Sequence, residues 1–223
     1  MCFTDDDCVP PKDWISNVVD HFKIDPTSQV VMGLGLNYYP QNLSAVLEQY
    51  NYEVWLRKII PDLSKKTTIV NGKIVDTKIT SFRKIALNNL RFSEDLQQDE
   101  DVELGTRLIE QNIKISYNPK IKTYHKNSKT FSELIHRKYF RGVSQHQLRK
   151  EKGIQIKHTH DNNIIHKLLG EKTLYKEMRE KFNLSTLASK IILNFYRSTY
   201  KIGKTYAIIY YAITKKHPII PNR

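Results

Sequence analysis

Phe3-Thr4-Asp5-Asp6-Asp7-Cys8-Val9-Pro10-Pro11-Lys12-Asp13-Trp14-Ile15 is the stretch on which the reading of this chain turns. Met1 to Thr4 read as the tail of a buried strand that runs directly into three aspartates. Pro10 and Pro11 punctuate, and Asp13 stands where it can cap a helix predicted from Trp14 to about Phe22, with Ile15, Val19 and Phe22 at helical spacing. An apolar strand end leading into Asp-x-Asp suits a hard cation at the rim of a sheet. In an extended segment residues i and i+2 share a side, so Asp5 and Asp7 are expected to face one ligand together. Carboxylates at such a rim fit Mg²⁺ or Mn²⁺, which keep phosphate oxygens as further ligands. The plain alternative is an acidic segment that does no more than cap a helix.

Outward from that stretch, Gln29 to Leu36 predicts a strand, with Gly33 and Gly35 allowing close backbone approach. Leu43 to about Ile60 predicts a helix. Asn71-Gly72, between two β-rich triplets, predicts a two-residue hairpin. A short helix over Ser81 to Asn89, an acidic loop from Ser93 to Asp99 and a helix over Glu100 to Gln111 follow. Ile113 to Tyr117 and Ile121 to Tyr124 read as two short strands around Asn118-Pro119, with His125 just past the second. Beyond Lys129 the pattern turns helical. Phe131, Leu134, Ile135, Tyr139 and Val143 line one face, and residues 151–163 read as a polar loop. Leu184 to Ile213 predicts one or two basic amphipathic helices rich in tyrosine.

Two further positions could carry chemistry. Carboxylates at Glu100, Asp101 and Glu103 open a helix, where the dipole keeps them ionised and one facing a cleft can act as a general base. A helix turns Glu103 away from Asp101, which leaves Asp101 the favoured base. His125, at a strand end, is a candidate ligand.

Charge divides the chain. Residues 1–110 hold 12 Lys+Arg against 17 Asp+Glu, and residues 111–223 hold 24 against 6. The expected organisation is therefore a catalytic half over 1–128 and a basic helical extension over 129–223. The basic half suits phosphate, whether on an anionic lipid or a diphosphate substrate. Cys2 and Cys8 fit no zinc or redox spacing and read as reduced thiols. With no signal peptide visible and no run near the ~18 apolar residues of a membrane span, the expected location is cytoplasmic, peripheral at the inner face of the cell membrane.

Taken in order, strand–Asp-x-Asp–Cys-Val-Pro–x-x-Asp-Trp-Ile, a Gly-containing strand, Ser81-Phe82-Arg83-Lys84, Glu100-Asp101-Val102-Glu103-Leu104-x-x-Arg107 and strand–His125 resemble the family-2 glycosyltransferases from Phe3 to about Gly142. The resemblance implies an α/β fold, a partial GT-A-type mixed sheet flanked by helices. It also implies an inverting, metal-dependent transfer of sugar from a nucleotide-sugar donor to a glycan, lipid-linked or protein acceptor. It implies Asp5 near the ribose and on the metal, Asp7 on the metal, His125 near metal and diphosphate, and Asp101 as base with Glu100 beside it. Where the family shows Gly-Gly-Phe-Asp-Glu, this chain has Leu90-Arg91-Phe92-Ser93-Glu94, without the turn glycine. Family members also carry a nucleotide-gripping region before Asp-x-Asp. The expectation is thus a chain truncated at its start, dependent on a separate chain for that half or else non-catalytic. A dehalogenase-type phosphatase shares the opening strand–Asp-x-Asp but needs a later Gly-Asp-x-x-x-Asp, which the sequence lacks. A basic module for nucleic acid or membrane surfaces is the other rival. No RNA-binding aromatic signature or helix-turn-helix pattern accompanies the charge, so no nucleic-acid partner is expected.

Overall fold

An unbroken apolar run makes a strand buried on both faces. In the computed structural model, which describes residues 1–57, 59–60, 62–69, 75–88, 90–96, 98–154 and 164–220, that run is strand β2 (Val30–Asn37), after the short β1 (Cys8–Val9). Its neighbours are β3 (Thr67–Ile69), β4 (Thr80–Phe82) and the long β5 (Ile115–His125). Together the five strands form one mixed sheet. β2 runs parallel to β5 and antiparallel to β4, while β1 and β3 pair antiparallel with opposite ends of β5. Met1 to Phe3 lie along the far side of β4, where Cys2 bridges Ser81 and the Phe3 N–H donates to the Thr80 carbonyl at 2.9 Å.

Two expectations change here. Asn118-Pro119 does not separate two strands. β5 is continuous, and residues 118–121 bulge out opposite Gly33 alone, since Met32 pairs Tyr117 and Leu34 pairs Lys122. A Cβ on Gly33 would meet the Ile121 carbonyl at 2.3 Å, so the bulge needs a glycine there. The helix expected over Ser81 to Asn89 is instead β4, followed by a 3₁₀ turn at Lys84–Leu87. Thr80, Ser81 and Phe82 are all buried between β2 and Met1 to Phe3, and two ladders outweigh a weak local helical pattern. The arm Thr67–Ile69 of the expected hairpin pairs with β5, while Asn71-Gly72 lies outside the described residues.

Residues 1–38, 55–94 and 100–127 form one unit, and residues 39–54, 95–99 and 128–223 the other. The first holds the sheet with helix α1 (Trp14–Ile24) packed on β5. It also holds helix α3 (Glu100–Glu110), so numbered because helix α2 (Leu43–Leu56) precedes it and lies mostly in the second unit. Segments 39–54 and 95–99 therefore group with the helices beyond 128 and not with the front of the chain. His21 on α1 is buried against the bulge. Asn118 Nδ2 lies 3.4 Å from its Nδ1, and its Nε2 lies 3.2 Å from Ser28 Oγ. With Nδ1 accepting from Asn118, the ring is neutral and both nitrogens are satisfied.

The second unit adds α4 (Phe131–Lys152), α5 (Ile164–Phe182) and α6 (Thr186–Thr214). Thr130 and Glu133 form a capping box on α4, and Gly153 closes it in the left-handed region at φ 64°. Val46, Leu47, Leu134, Leu174, Met178, Leu193 and Tyr196 share one core. Helices α4 and α6 cross with their backbones almost touching. A Cβ on Gly142 would meet the Tyr200 carbonyl at 2.2 Å, and one on Gly203 the Tyr139 carbonyl at 2.1 Å. Among the described residues no helix is long and apolar enough to cross a membrane.

Two stability outcomes follow from these contacts. Gly203→Ala should destabilise the chain in urea unfolding, because overpacking against backbone costs about 1–3 kcal/mol while alanine returns only about 1 kcal/mol of helix propensity. A variant at least as stable as the parent would contradict so close a crossing. The second concerns pH. Burial, and then Lys66, hold His21 below its usual value of 6.5, so below that pH the unfolded chain binds the extra proton more readily. Stability contributed by the neutral ring is complete above about pH 6.5 and is lost as pH falls toward the depressed folded value. His21→Gln should flatten that part of the urea-midpoint profile, and an unchanged slope would refute the assignment.

Candidate metal centre

Directly opposed residues of an antiparallel pair put their side chains on the same face. β1 pairs Cys8 with His125, so thiol and imidazole rise together beside the carboxyl ends of the parallel strands β2 and β5, where Asn37 is level with His125. The ends of parallel strands are where open α/β sheets bind ligands.

The aspartate segment is not extended, as expected, but turned. The Cys8 N–H donates to the Asp5 carbonyl at 3.1 Å across Asp6 and Asp7, and the Lys126 N–H donates to the Asp7 carbonyl at 2.9 Å. That turn carries the Asp7 carboxylate to His125, with Asp7 Oδ1 3.3 Å from His125 Nε2. Cys8 Sγ lies 3.9 Å from the same oxygen. Asp7, Cys8 and His125 form the one group among the described residues whose possible ligand atoms all lie within 4.8 Å of each other. All three are partly exposed, so solutes can reach them.

The other nitrogen of His125 is held from behind. Asn127 Oδ1 stands 2.5 Å from Nδ1, and Asn127 Nδ2 donates to Asn37 Oδ1 at 3.3 Å, which orients the amide. Nδ1–H therefore donates to Asn127, and in the neutral ring the Nε2 lone pair points at Asp7 Oδ1. Two acceptors facing across 3.3 Å repel unless a positive centre, a proton or a metal ion, lies between them. Orientation of one ring nitrogen by a hydrogen bond to the other is a habit of metal-ligating histidines.

More carboxylates surround this group. Asp5 is held above the usual carboxylate range by burial first, then by Asp76, with Asp7 adding to the effect and Lys78 and His125 opposing it. Asp76, itself buried, pairs with Lys78 at 2.7 Å. Burial, with Asp5 and Asp7, pushes the Cys8 thiol up to about 11.

Of the predicted residues, Asp7 and His125 come together, and Asp5 stands beside them without joining the close group. Glu100 and Asp101 occupy the first turn of α3, half-exposed, and neither joins that group; Asp101 Oδ1 accepts from the Val102 N–H at 2.7 Å. Glu103 is buried in a bidentate pair with Arg107 at 2.7 and 2.6 Å, which occupies it structurally. Cys8, Asp76 and Asn127 were not foreseen. Adjacency to Asp7 was the one sequence cue for Cys8; Asp76 and Asn127 carried none.

The donor set is one carboxylate oxygen, one imidazole nitrogen and one sulfur. Asp7 and His125 suit a divalent transition metal, whereas Mg²⁺ demands oxygen ligands. In comparisons with known proteins, no family model matches the chain and no curated protein matches it.

Proposed function

We propose that this chain supplies the cation-binding and acceptor-side residues of a GT-A-type glycosyltransferase resembling family 2. The observation that carries the reading is the meeting of Asp7 with His125, distant in sequence, at the carboxyl ends of two parallel strands. A cation bound by this pair supplies charge neutralisation for a leaving nucleoside diphosphate. The turn from Asp5 to Cys8 and the Asn127 hydrogen bond keep both ligands in place before any donor arrives. Asp101 is the base, with Glu100 beside it. An acceptor oxygen attacks the anomeric carbon from the face opposite the departing diphosphate. The bond from anomeric carbon to phosphate oxygen breaks with its electron pair leaving on the phosphate, and the hydroxyl proton passes to the Asp101 carboxylate. Attack from the opposite face inverts the anomeric centre.

The same reading places the chain at an anionic membrane surface, where lipid-linked acceptors reside. Leu187, Ile191, Phe195, Ile202, Tyr206, Ile209 and Ile213 recur at helical spacing along α6 and are between 42% and 76% exposed. Lys190, Lys201 and Lys215 flank this stripe, in the half of the chain with 24 Lys+Arg against 6 Asp+Glu. An apolar stripe edged with lysines is the pattern of a helix lying in the plane of an anionic interface.

Incubation with a panel of nucleotide sugars, Mn²⁺ or Zn²⁺, and a lipid-diphosphate acceptor should release nucleoside diphosphate. Asp101→Asn should cut kcat by about 10²–10⁴-fold with little change in donor KM, and Asp7→Asn should weaken donor use as a whole. No diphosphate release from any donor would defeat the transferase reading. Separately, the chain should float with vesicles of phosphatidylglycerol and phosphatidylcholine but not with phosphatidylcholine alone, and Ile191→Glu with Ile209→Glu should return it to the soluble fraction. Equal recovery in solution with both vesicle types would remove the membrane assignment.

A further inference from the structure

We infer that the ion at the end of β5 is of the zinc class, bound through Cys8 Sγ as well as Asp7 and His125, where the aspartates alone point to Mg²⁺ or Mn²⁺. This rests on reading Asp7 and His125 as cation ligands, and not on sugar transfer itself.

Tetrahedral zinc has metal–ligand bonds of about 2.0 Å to nitrogen or oxygen and about 2.3 Å to sulfur. Those bonds put two light-atom ligands about 3.3 Å apart, and a sulfur about 3.5 Å from an oxygen. Here Asp7 Oδ1 lies 3.3 Å from His125 Nε2 and 3.9 Å from Cys8 Sγ, and all three ligand atoms lie within 4.8 Å of one another. The first already matches a tetrahedral edge, and a few tenths of an ångström of thiol movement completes the second. Octahedral Mg²⁺, at about 2.1 Å from each oxygen, wants edges of about 3.0 Å and accepts neither sulfur nor imidazole readily.

Cys8 and His125 are cross-strand partners, so the thiol shares the imidazole's face because of the fold and not through a chance rotamer. His125 is also held from behind through Asn127 and Asn37, as metal-ligating imidazoles are. Three protein ligands leave the fourth tetrahedral position open, the arrangement of zinc sites that act on substrates rather than merely brace a fold. A phosphate oxygen is the natural occupant of that position.

Cobalt(II) reports on this directly. Titrating Co²⁺ into the chelator-treated chain should give a thiolate-to-cobalt charge-transfer band in the near ultraviolet, together with intense visible bands of four-coordinate cobalt, saturating at one ion per chain. Stoichiometric Zn²⁺ should erase the spectrum, and a large excess of Mg²⁺ should leave it intact. Cys8→Ser should lose the near-ultraviolet band with an unchanged far-ultraviolet circular dichroism spectrum, whereas Cys2→Ser should keep it. Asn127→Ala should keep the band but weaken Co²⁺ affinity about 10–100-fold. Absence of the band, its persistence in Cys8→Ser, or displacement by Mg²⁺ would overturn the inference. Nucleoside diphosphate release that runs on Mg²⁺ without such a band would leave the transferase reading standing while this one falls. A cobalt site with no diphosphate release would do the reverse.

Discussion

The parallel pairing of β2 with β5 is the constraint on which the first unit depends. Between Met32–Tyr117 and Leu34–Lys122, β2 advances two residues and β5 advances five. The difference is odd, and side chains alternate with period two, so the bulge reverses which face of the sheet each later residue of β5 occupies. Without it, His125 would share a face with Tyr117, Met32 and Leu34. With it, Lys122 and Tyr124 take that face and lie exposed, while Thr123 and His125 join Gly35 and Asn37 on the more sheltered one. Gly33 makes the bulge possible, His21 and Asn118 brace it, and the candidate centre exists only because of it.

Much of this was legible in the chain, and what was not has a common cause. β2, α1 and α3 each announce themselves through a local pattern, and Asp7 and His125 stand out by residue type, whereas the turn that sets Asp7 apart from Asp5 does not, since the segment reads as extended. β4 does not, because three residues become a strand only through partners far away in sequence. Proline at 119 argues locally for a break, and only the neighbouring strand shows that it is a bulge within one continuous element. α5 escaped because Lys167, Glu171, Lys172, Lys176, Glu177, Arg179, Glu180 and Lys181 leave little contrast between its faces. At the site, Cys8 and Asn127 gain meaning from the pairing of β1 with β5 and from the end of β2. Neither relation is written in spacing along the chain.

Charge at the site and charge in the helices answer different demands. At the site, burial and then Asp76 hold the Asp5 carboxyl above its usual range, with Lys78 as the nearby cation of opposite effect. Burial, with Asp5 and Asp7, raises the Cys8 thiol as well. Beyond residue 128 many lysines, Lys190, Lys201, Lys215 and Lys216 among them, lie exposed along helix α6 and just past it, where each costs little and the sum favours anionic partners.

α6 reverses the ordinary division of labour in an amphipathic helix. A helix that serves a core places its large apolar residues inward. Here the inward face is rich in small residues, with Ser189, Thr199, Gly203 and Ala207 beside Leu193 and Tyr196, because close approach to α4 leaves room for little else. The bulky residues Leu187, Ile191, Ile202, Ile209 and Ile213 lie between 54% and 76% exposed on the other side, and Phe195, half-exposed beside them, stacks on Phe131 of α4. Burying each would contribute about 1.5–3 kcal/mol that the isolated chain forgoes. Small residues thus serve the packing of α6 on α4, and large apolar ones are left on its outer face. The glycine crossing that draws α6 against α4 is what keeps that face turned outward.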